Sequence, residues 1–231
     1  VNLKNKEGWT PLHKAAKVGN LDVLKLLLED FGADPNIKEN VRGFTPLHLA
    51  ITEDCVAMLL QNGADSTISD NNGRTTLFHH VTNKLNGKKI MLPLLKYGRS
   101  IDIPDKQRST PLHHAAEGKA EPEALMLLNY KADPDTLDNK GRSPLLLAAS
   151  NRCFRLSRKL LHLGCNIEIQ DPERNTPLSA AAANGHEDIV KLLLEHKVDP
   201  ENANQYGETP LDWAEEKGHS GVVDMLQKMV T

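Results

Sequence analysis

Ten histidines in a chain of 231 residues are the first candidates for chemistry, and two adjacent pairs, His79-His80 and His113-His114, stand at overlapping places of a repeated pattern. Imidazole is a common metal ligand. Neither pair has the HExxH spacing that puts two rings on one helical face, and neither has partner cysteines, so no metal site is expected. Catalytic signatures are missing as well. There is no GxSxG, no phosphate loop and no GxGxxG, and Asn86-Gly87-Lys88-Lys89 lacks the preceding glycine and following Ser or Thr of a phosphate loop. Asp34, Asp65, Asp133 and Asp199 recur at one place in the pattern. A catalytic carboxylate is a single event, whereas a recurring one has a structural task. No enzyme activity and no cofactor are expected. Cys55, Cys153 and Cys165 are odd in number and lack CxxC pairing, which suits reduced thiols in the cytosol or nucleus.

The pattern that carries these residues is a repeat. Thr10-Pro11-Leu12-His13 returns as Thr45-Pro46-Leu47-His48 and Thr110-Pro111-Leu112-His113, with altered copies at Thr75-Thr76-Leu77-Phe78, Ser143-Pro144-Leu145-Leu146, Thr176-Pro177-Leu178-Ser179 and Thr209-Pro210-Leu211-Asp212. The steps between first residues are 35, 30, 35, 33, 33 and 33. A near-constant period of this size means stacked supersecondary units rather than a closed globule.

The sixth copy, from Asp171, shows what one unit is. Thr176 is a good helix N-cap and Pro177 fits the first turn, where a missing N–H costs nothing. Ala180, Ala181 and Ala182 keep this first helix narrow, and Asn184-Gly185 ends it. A second helix is expected over 187–196, its Ile189, Val190, Leu192, Leu193 and Leu194 forming an apolar face that only a neighbouring unit can cover. The polar stretch from Val198 to Gly207 then reads as a projecting, hairpin-like loop.

Small helix, apolar helix and loop, seven times over, resemble the ankyrin repeat, and GxTPLHxAAxxGxxxxxxxLLxxGADxN is nearly complete in residues 8–36. The resemblance implies an all-α solenoid of stacked helix-turn-helix units, with loops and first helices lining a concave side. It also implies that His13, His48 and His113 hydrogen-bond backbone and tie neighbouring loops together. One domain, 1–231, is expected, with repeats at 5–39, 40–69, 70–104, 105–137, 138–170, 171–203 and 204–231. Val1 to Lys4 align with Pro35 to Lys38, so the chain begins midway through a unit. It reads as a piece of a longer protein with residues 1–4 the tail of an upstream repeat, or as a natural end left by a cleaved tag. The last unit could be a C-terminal cap or could stack on another.

Departures from the pattern locate irregularity. The second repeat is about three residues short near 50–55, so its first helix or inter-helix turn must be clipped. The third lacks the proline at Thr76 and carries a long turn over 82–89. Pro122 sits near the start of a second helix, where it is tolerable. Arg108 and Arg174 replace the glycine two places before the Thr, and the loops there are expected to take a different turn. The second and third repeats should be the least regular and least stable.

Positions that vary across copies are where a partner would be read. The column before the Thr holds Trp9, Phe44, Arg74, Ser109, Arg142, Asn175 and Glu208, and the loop tips hold, among others, Arg42, Lys106, Lys140 and Tyr206. Bases dominate the first five repeats, and Glu173 and Glu208 close the last two. Trp9, Arg42, Phe44, Arg74, Lys106, Lys140, Arg142 and Tyr206 are therefore the candidate partner-binding residues, suited to an extended or helical segment with acidic and apolar side chains. The alternative is that these tips are simply solvated and that Trp9 and Phe44 cover neighbouring loops.

The expected function is that of a non-catalytic protein-interaction scaffold or adaptor. Alternatives are a regulatory or substrate-targeting domain of a larger enzyme, channel or host-directed effector, and a sensor of a small anionic ligand. A formal charge of -3 gives no field for nucleic acid. Nothing approaches the roughly 18 apolar residues of a membrane span, and no basic-then-apolar leader is seen. A monomer in the cytoplasm, with the nucleus open, is expected.

Overall fold

The computed structural model describes residues 1–82 and 87–230. Each repeat yields a short first helix and a second helix. The first four repeats give α1 (Pro11–Val18), α2 (Leu21–Lys25), α3 (Pro46–Leu49), α4 (Glu53–Gln61), α5 (Thr76–Val81), α6 (Gly87–Tyr97), α7 (Pro111–Glu117) and α8 (Glu121–Asn129). The last three give α9 (Pro144–Ser150), α10 (Phe154–His162), α11 (Pro177–Ala183), α12 (Glu187–Glu195), α13 (Pro210–Glu216) and α14 (Ser220–Val230). Among the described residues there is no strand, only an isolated bridge between Ser69 and Thr75. The chain divides into two compact bodies at Pro111 and Leu112.

The recurrent Thr-Pro start does what its chemistry predicts. Thr10, Thr45, Thr176 and Thr209 sit in extended conformation as N-caps, each with the side chain three residues on returning a bond to the cap. The core is built on leucines, with Leu12, Leu24, Leu47 and Leu59 buried in the first body and Leu112, Leu127, Leu145 and Leu156 in the second. Buried alanines beside them, among them Ala15, Ala16, Ala148, Ala149, Ala181 and Ala182, let first helices approach closely.

Length changes between copies are absorbed in identifiable places. The first step of 35 is two residues longer than the regular 33. One extra residue widens the end of α2 into a π-helical turn, Leu26–Asp30, and the other lengthens the loop between Glu39 and Phe44. The short second repeat loses its residues from the first helix, since α3 spans only Pro46–Leu49 and ends where Ala50 turns extended. The long turn of the third repeat falls partly on 83–86, outside the described residues.

Among the described residues, the third repeat holds most of the unsatisfied buried polar groups. Thr75 Oγ1, Thr76 Oγ1, both His80 ring nitrogens and Ser100 Oγ are buried without a hydrogen-bond partner. Pro93 lies inside α6, where its missing N–H removes a helical hydrogen bond, a feature the repeat pattern did not signal.

One expectation is overturned. Arg108 and Arg174 do not take a different turn: their φ values are 57° and 64°, in the left-handed region occupied by Gly8, Gly43, Gly73, Gly141 and Gly207 in the other loops. The loop backbone is fixed by hydrogen bonds before and after this position, so the residue there conforms. Arg108→Gly and Arg174→Gly should each stabilise the fold by about 1 kcal/mol, the relieved strain being offset in part by the freer unfolded chain. Thermal denaturation of the two variants checks this, and an unchanged or lower Tm would show the arginines unstrained.

Candidate partner-binding surface

Loop geometry is set by one polar side chain per repeat that the sequence reading passed over. Asn5, Asp70, Asp105, Asp138, Asp171 and Asn204 each accept backbone N–H bonds from the residues two and four places on, as in Asp70 to Asn72 (2.7 Å) and Arg74 (2.9 Å). Glu39 does the same in the second repeat, where its longer side chain spans the longer loop to Val41, Arg42 and Phe44. Burial would raise the Glu39 carboxyl, but N–H bonds from Phe44, Val41, Arg42 and Gly43 outweigh it and hold it below the usual carboxylate range. The column is legible in the sequence as an Asx or Glu just ahead of each loop tip.

Adjacent loops are then laced together. Asn40 N–H donates to Glu7 O (3.0 Å), Asn71 to Arg42 (2.8 Å), Lys106 to Asn72 (3.1 Å) and Gln205 to Glu173 (2.9 Å). Histidines add a second tie. His13 Nδ1 accepts from Thr10 N–H at 3.1 Å and its Nε2 donates to Phe44 O at 3.1 Å, while His48 Nε2 reaches Arg74 O at 3.2 Å and His113 Nε2 reaches Arg142 O at 3.0 Å. Burial lowers the pKa of all three. For His48, burial followed by repulsion from His79 brings it to about 4. His13 and His48 are neutral rings with both nitrogens bonded to backbone groups, and His113 is a neutral ring tied to the next loop through Nε2. Among the described residues no group of three or more His, Cys, Asp or Glu side chains could hold a metal ion.

The recurring aspartates have the repeated task expected of them. Asp34, Asp65, Asp133 and Asp199 each accept the N–H two residues on, and Asp65 N–H is itself held by Asn36 Oδ1 at 2.8 Å.

On this frame the candidate residues separate. In the first body Trp9 is half-buried, its ring 6.0 Å from that of His13 and crossed on its open side by Lys17 Nζ at 4.9 Å. Phe44 stacks on His48 at 5.4 Å, meets His79 edge-on at 4.9 Å and carries the Arg42 guanidinium at 5.6 Å. His79 Nε2 lies 3.2 Å from Asp70 Oδ2. Arg74 Nε is 3.4 Å from Asp105 Oδ2 with its side chain 39% exposed, and Lys106 is exposed.

In the second body Lys140 and Tyr206 project into solvent. Arg142 does not. Its Nε and a terminal nitrogen hold Asp138 Oδ2 at 2.8 and 2.7 Å, and its other nitrogen lies 3.4 Å from Glu117. This pair braces the loop, so the guanidinium is engaged within the chain. A pocket of about 200 Å³ opens instead between first helices, lined by Leu146, Asp171, Asn175, Ser179, Ala180, Ala183 and Trp213. Trp213 was missed because the column it occupies, the residue after TPLH, holds Lys14, Leu49, His79, His114, Leu147 and Ala180 elsewhere and was not read as a set.

A family model for ankyrin repeats matches residues 1–70, 31–105, 78–171 and 156–230. The chain belongs to the ankyrin repeat family, whose fold works by protein interaction. It superposes on the ankyrin repeat domain of Bcl-3, a member of the IkappaB family, with a TM-score of 0.84 and 28% identity, covering 96% of this chain and all of that one. It is 38% identical over 126 residues to the probable 26S proteasome regulatory subunit p28 of Saccharomyces cerevisiae, which is 52% of this chain and 54% of that protein. It is 36% identical over 118 residues to the transient receptor potential channel pyrexia of Drosophila melanogaster, 50% of this chain and 12% of the channel. The chain thus spans about half, or far less, of the curated relatives it matches. No described helix is long and apolar enough to cross a membrane.

Proposed function

We infer that the chain is a non-catalytic scaffold or adaptor that holds an extended segment of another protein against its loop bases, and that the segment carries apolar and acidic side chains. One observation carries this reading. Trp9 and Phe44 are aromatics held half-open, each backed by the buried histidine of its own repeat and edged by a cation. Such rings offer apolar area at little further entropic cost, and Lys17 and Arg42 beside them, with Arg74 and Lys106 on the following loops, suit carboxylates. Arg142 contributes through the loop it braces, with Lys140 and Tyr206 as the exposed groups of the second body. The buried, unpaired thiols of Cys55, Cys153 and Cys165, the latter two pushed up to about 11 and about 12 by burial, support a reducing compartment, the cytoplasm or nucleus.

Selection of displayed random peptides on the purified chain tests this. Peptides rich in acidic and apolar residues should be enriched, and Trp9→Ala with Phe44→Ala should weaken them at least about tenfold, the loss of roughly 1.4 kcal/mol or more expected of two anchors. Equal affinity for the folded double variant would remove the surface from consideration.

A further inference from the structure

Outside the loop surface, the second helix of the fifth repeat has a charge pattern that the fold does not require. Arg155, Arg158, Lys159 and His162 occupy successive i, i+3, i+4 and i+7 places of α10 and line an open cleft of about 430 Å³, closed on its other side by Leu125 of α8. Arg155, Arg158 and His162 are exposed and Lys159 is half-buried. Among the described residues none of the four enters an ion pair or a side-chain hydrogen bond, whereas Arg152, one turn earlier, is paired with Asp188 at 3.3 Å.

The cluster opposes helix stability in two ways. Like charges at i,i+3 and i,i+4 repel, and Arg155 stands in the first turn, at the positive end of the helix dipole. Four other second helices do the opposite: α2, α4, α8 and α12 carry Asp22, Glu53 and Asp54, Glu121 and Glu123, and Glu187 and Asp188 in their first turns, while α6 and α14 carry no acid there. In α10 the first turn has no acid. Its amide end is served instead from the neighbouring helix, where Glu121 Oε2 accepts from Leu156 N–H at 2.9 Å. The cations are therefore left over after the helix has been capped. The copies on either side show that the array does not need the cluster. One repeat before or after, at steps of 33, Arg155 is Pro122 or Asp188, Arg158 is Leu125 or Lys191, Lys159 is Met126 or Leu192, and His162 is Asn129 or Glu195, so a cation recurs at one of the four places only.

We propose that this cleft binds a phosphorylated segment of a partner protein, with one phosphate among Arg155, Arg158 and Lys159 and an adjacent apolar side chain on Leu125. Two guanidinium forks and an ammonium within one helical turn converge on a single dianion, which is the geometry of phosphoryl recognition. The surroundings choose the occupant. The helices packed on either side carry mostly acids, Glu121 and Glu123 on α8, and Glu187, Asp188 and Glu195 against the single cation Lys191 on α12, so the basic strip is largely confined to one helix. An anionic membrane or a nucleic-acid backbone, whose charges extend well beyond that width, meets these carboxylates as well, while a single phosphorylated side chain does not.

The site is separate from the loop surface, and its test is read separately. The intact chain is screened against a library of peptides centred on phosphoserine or phosphothreonine, and the affinities of selected peptides are measured by fluorescence anisotropy near physiological salt. Dephosphorylation, and Arg155→Ala with Arg158→Ala, should each weaken binding at least about tenfold. Trp9→Ala with Phe44→Ala should leave it unchanged. The arginine variant should melt no lower than the parent, since it removes only repulsion. No selected phosphopeptide, or one that binds the arginine variant equally well, overturns the proposal. So does variant-sensitive binding to single-stranded DNA or to phosphatidylserine vesicles without binding to phosphopeptide.

Discussion

Lowering the pH from about 7.5 to about 4.5 is expected to remove on the order of 5 kcal/mol of stability through two buried rings alone, His48 and His80. Each is held at about 4, below the ordinary 6.5, first by burial and then by the charge of His79 beside it. Folding therefore favours the neutral ring. Below pH 6.5 the unfolded chain takes up protons that the folded chain refuses, so stability falls as pH falls, and the loss continues until the folded rings protonate near pH 4. His13, His113 and His186 are shifted the same way, chiefly by burial, and add to the effect. Glu39 and Asp138, whose carboxyls are held low by loop N–H groups, stabilise above their ordinary range and are lost only at lower pH, so the two windows separate. A total stability of about 5–15 kcal/mol cannot absorb much of this. Urea denaturation across the range should show a steep fall. A flat profile would mean that the buried rings are not held neutral. His80 supplies the control, because neither of its nitrogens has a partner. His80→Phe should keep or raise stability at pH 7.5 and remove about half of the two-ring loss.

The frame of the protein was readable from periodicity because its chemistry is repeated. A Thr-Pro start, an alanine face and a leucine face mean the same thing each time they occur, and the clipped second repeat showed directly as the four-residue α3. What escaped was written once or in a different column. The π-helical end of α2 accommodates one extra residue after the leucine run, invisible to a pattern that tolerates several spacings. Pro93 looked like any residue of an apolar stretch, and only the packed helix reveals it as interior. At Arg108 and Arg174 a local propensity rule gave the wrong answer, because the loop ladder dictates φ and the residue obeys. In the candidate surface, Trp9 and Phe44 were legible as rare aromatics at a varied place. The engagement of Arg142 was not, since it depends on the rotamer that brings its guanidinium back to Asp138.

His13→Ala is the substitution expected to cost most among the loop ties, about 3–5 kcal/mol. The ring is fully buried, and its removal leaves a cavity together with a desolvated Thr10 N–H on one side and a desolvated Phe44 carbonyl on the other. The later repeats show how this splits. Ser179 and Asp212, at the same place, still accept from the capping threonine N–H at 2.9 and 2.7 Å. Among the described residues neither side chain hydrogen-bonds to another repeat. His13→Ser should accordingly recover the cap, roughly 1 kcal/mol, while losing the bridge and most of the packing. The order of stability should be parent, then Ser, then Ala, measured as urea midpoints at pH 7.5, where the ring is neutral. Because a stacked repeat gains much of its stability from its neighbour, the loss at Phe44 O should also appear as faster amide exchange in the second repeat's loop. If His13→Ser matched the parent in both measurements, the bridge would contribute nothing and the histidine would be only a cap. If Ser and Ala were equal and low, the bridge and the filled volume would be the whole of its work.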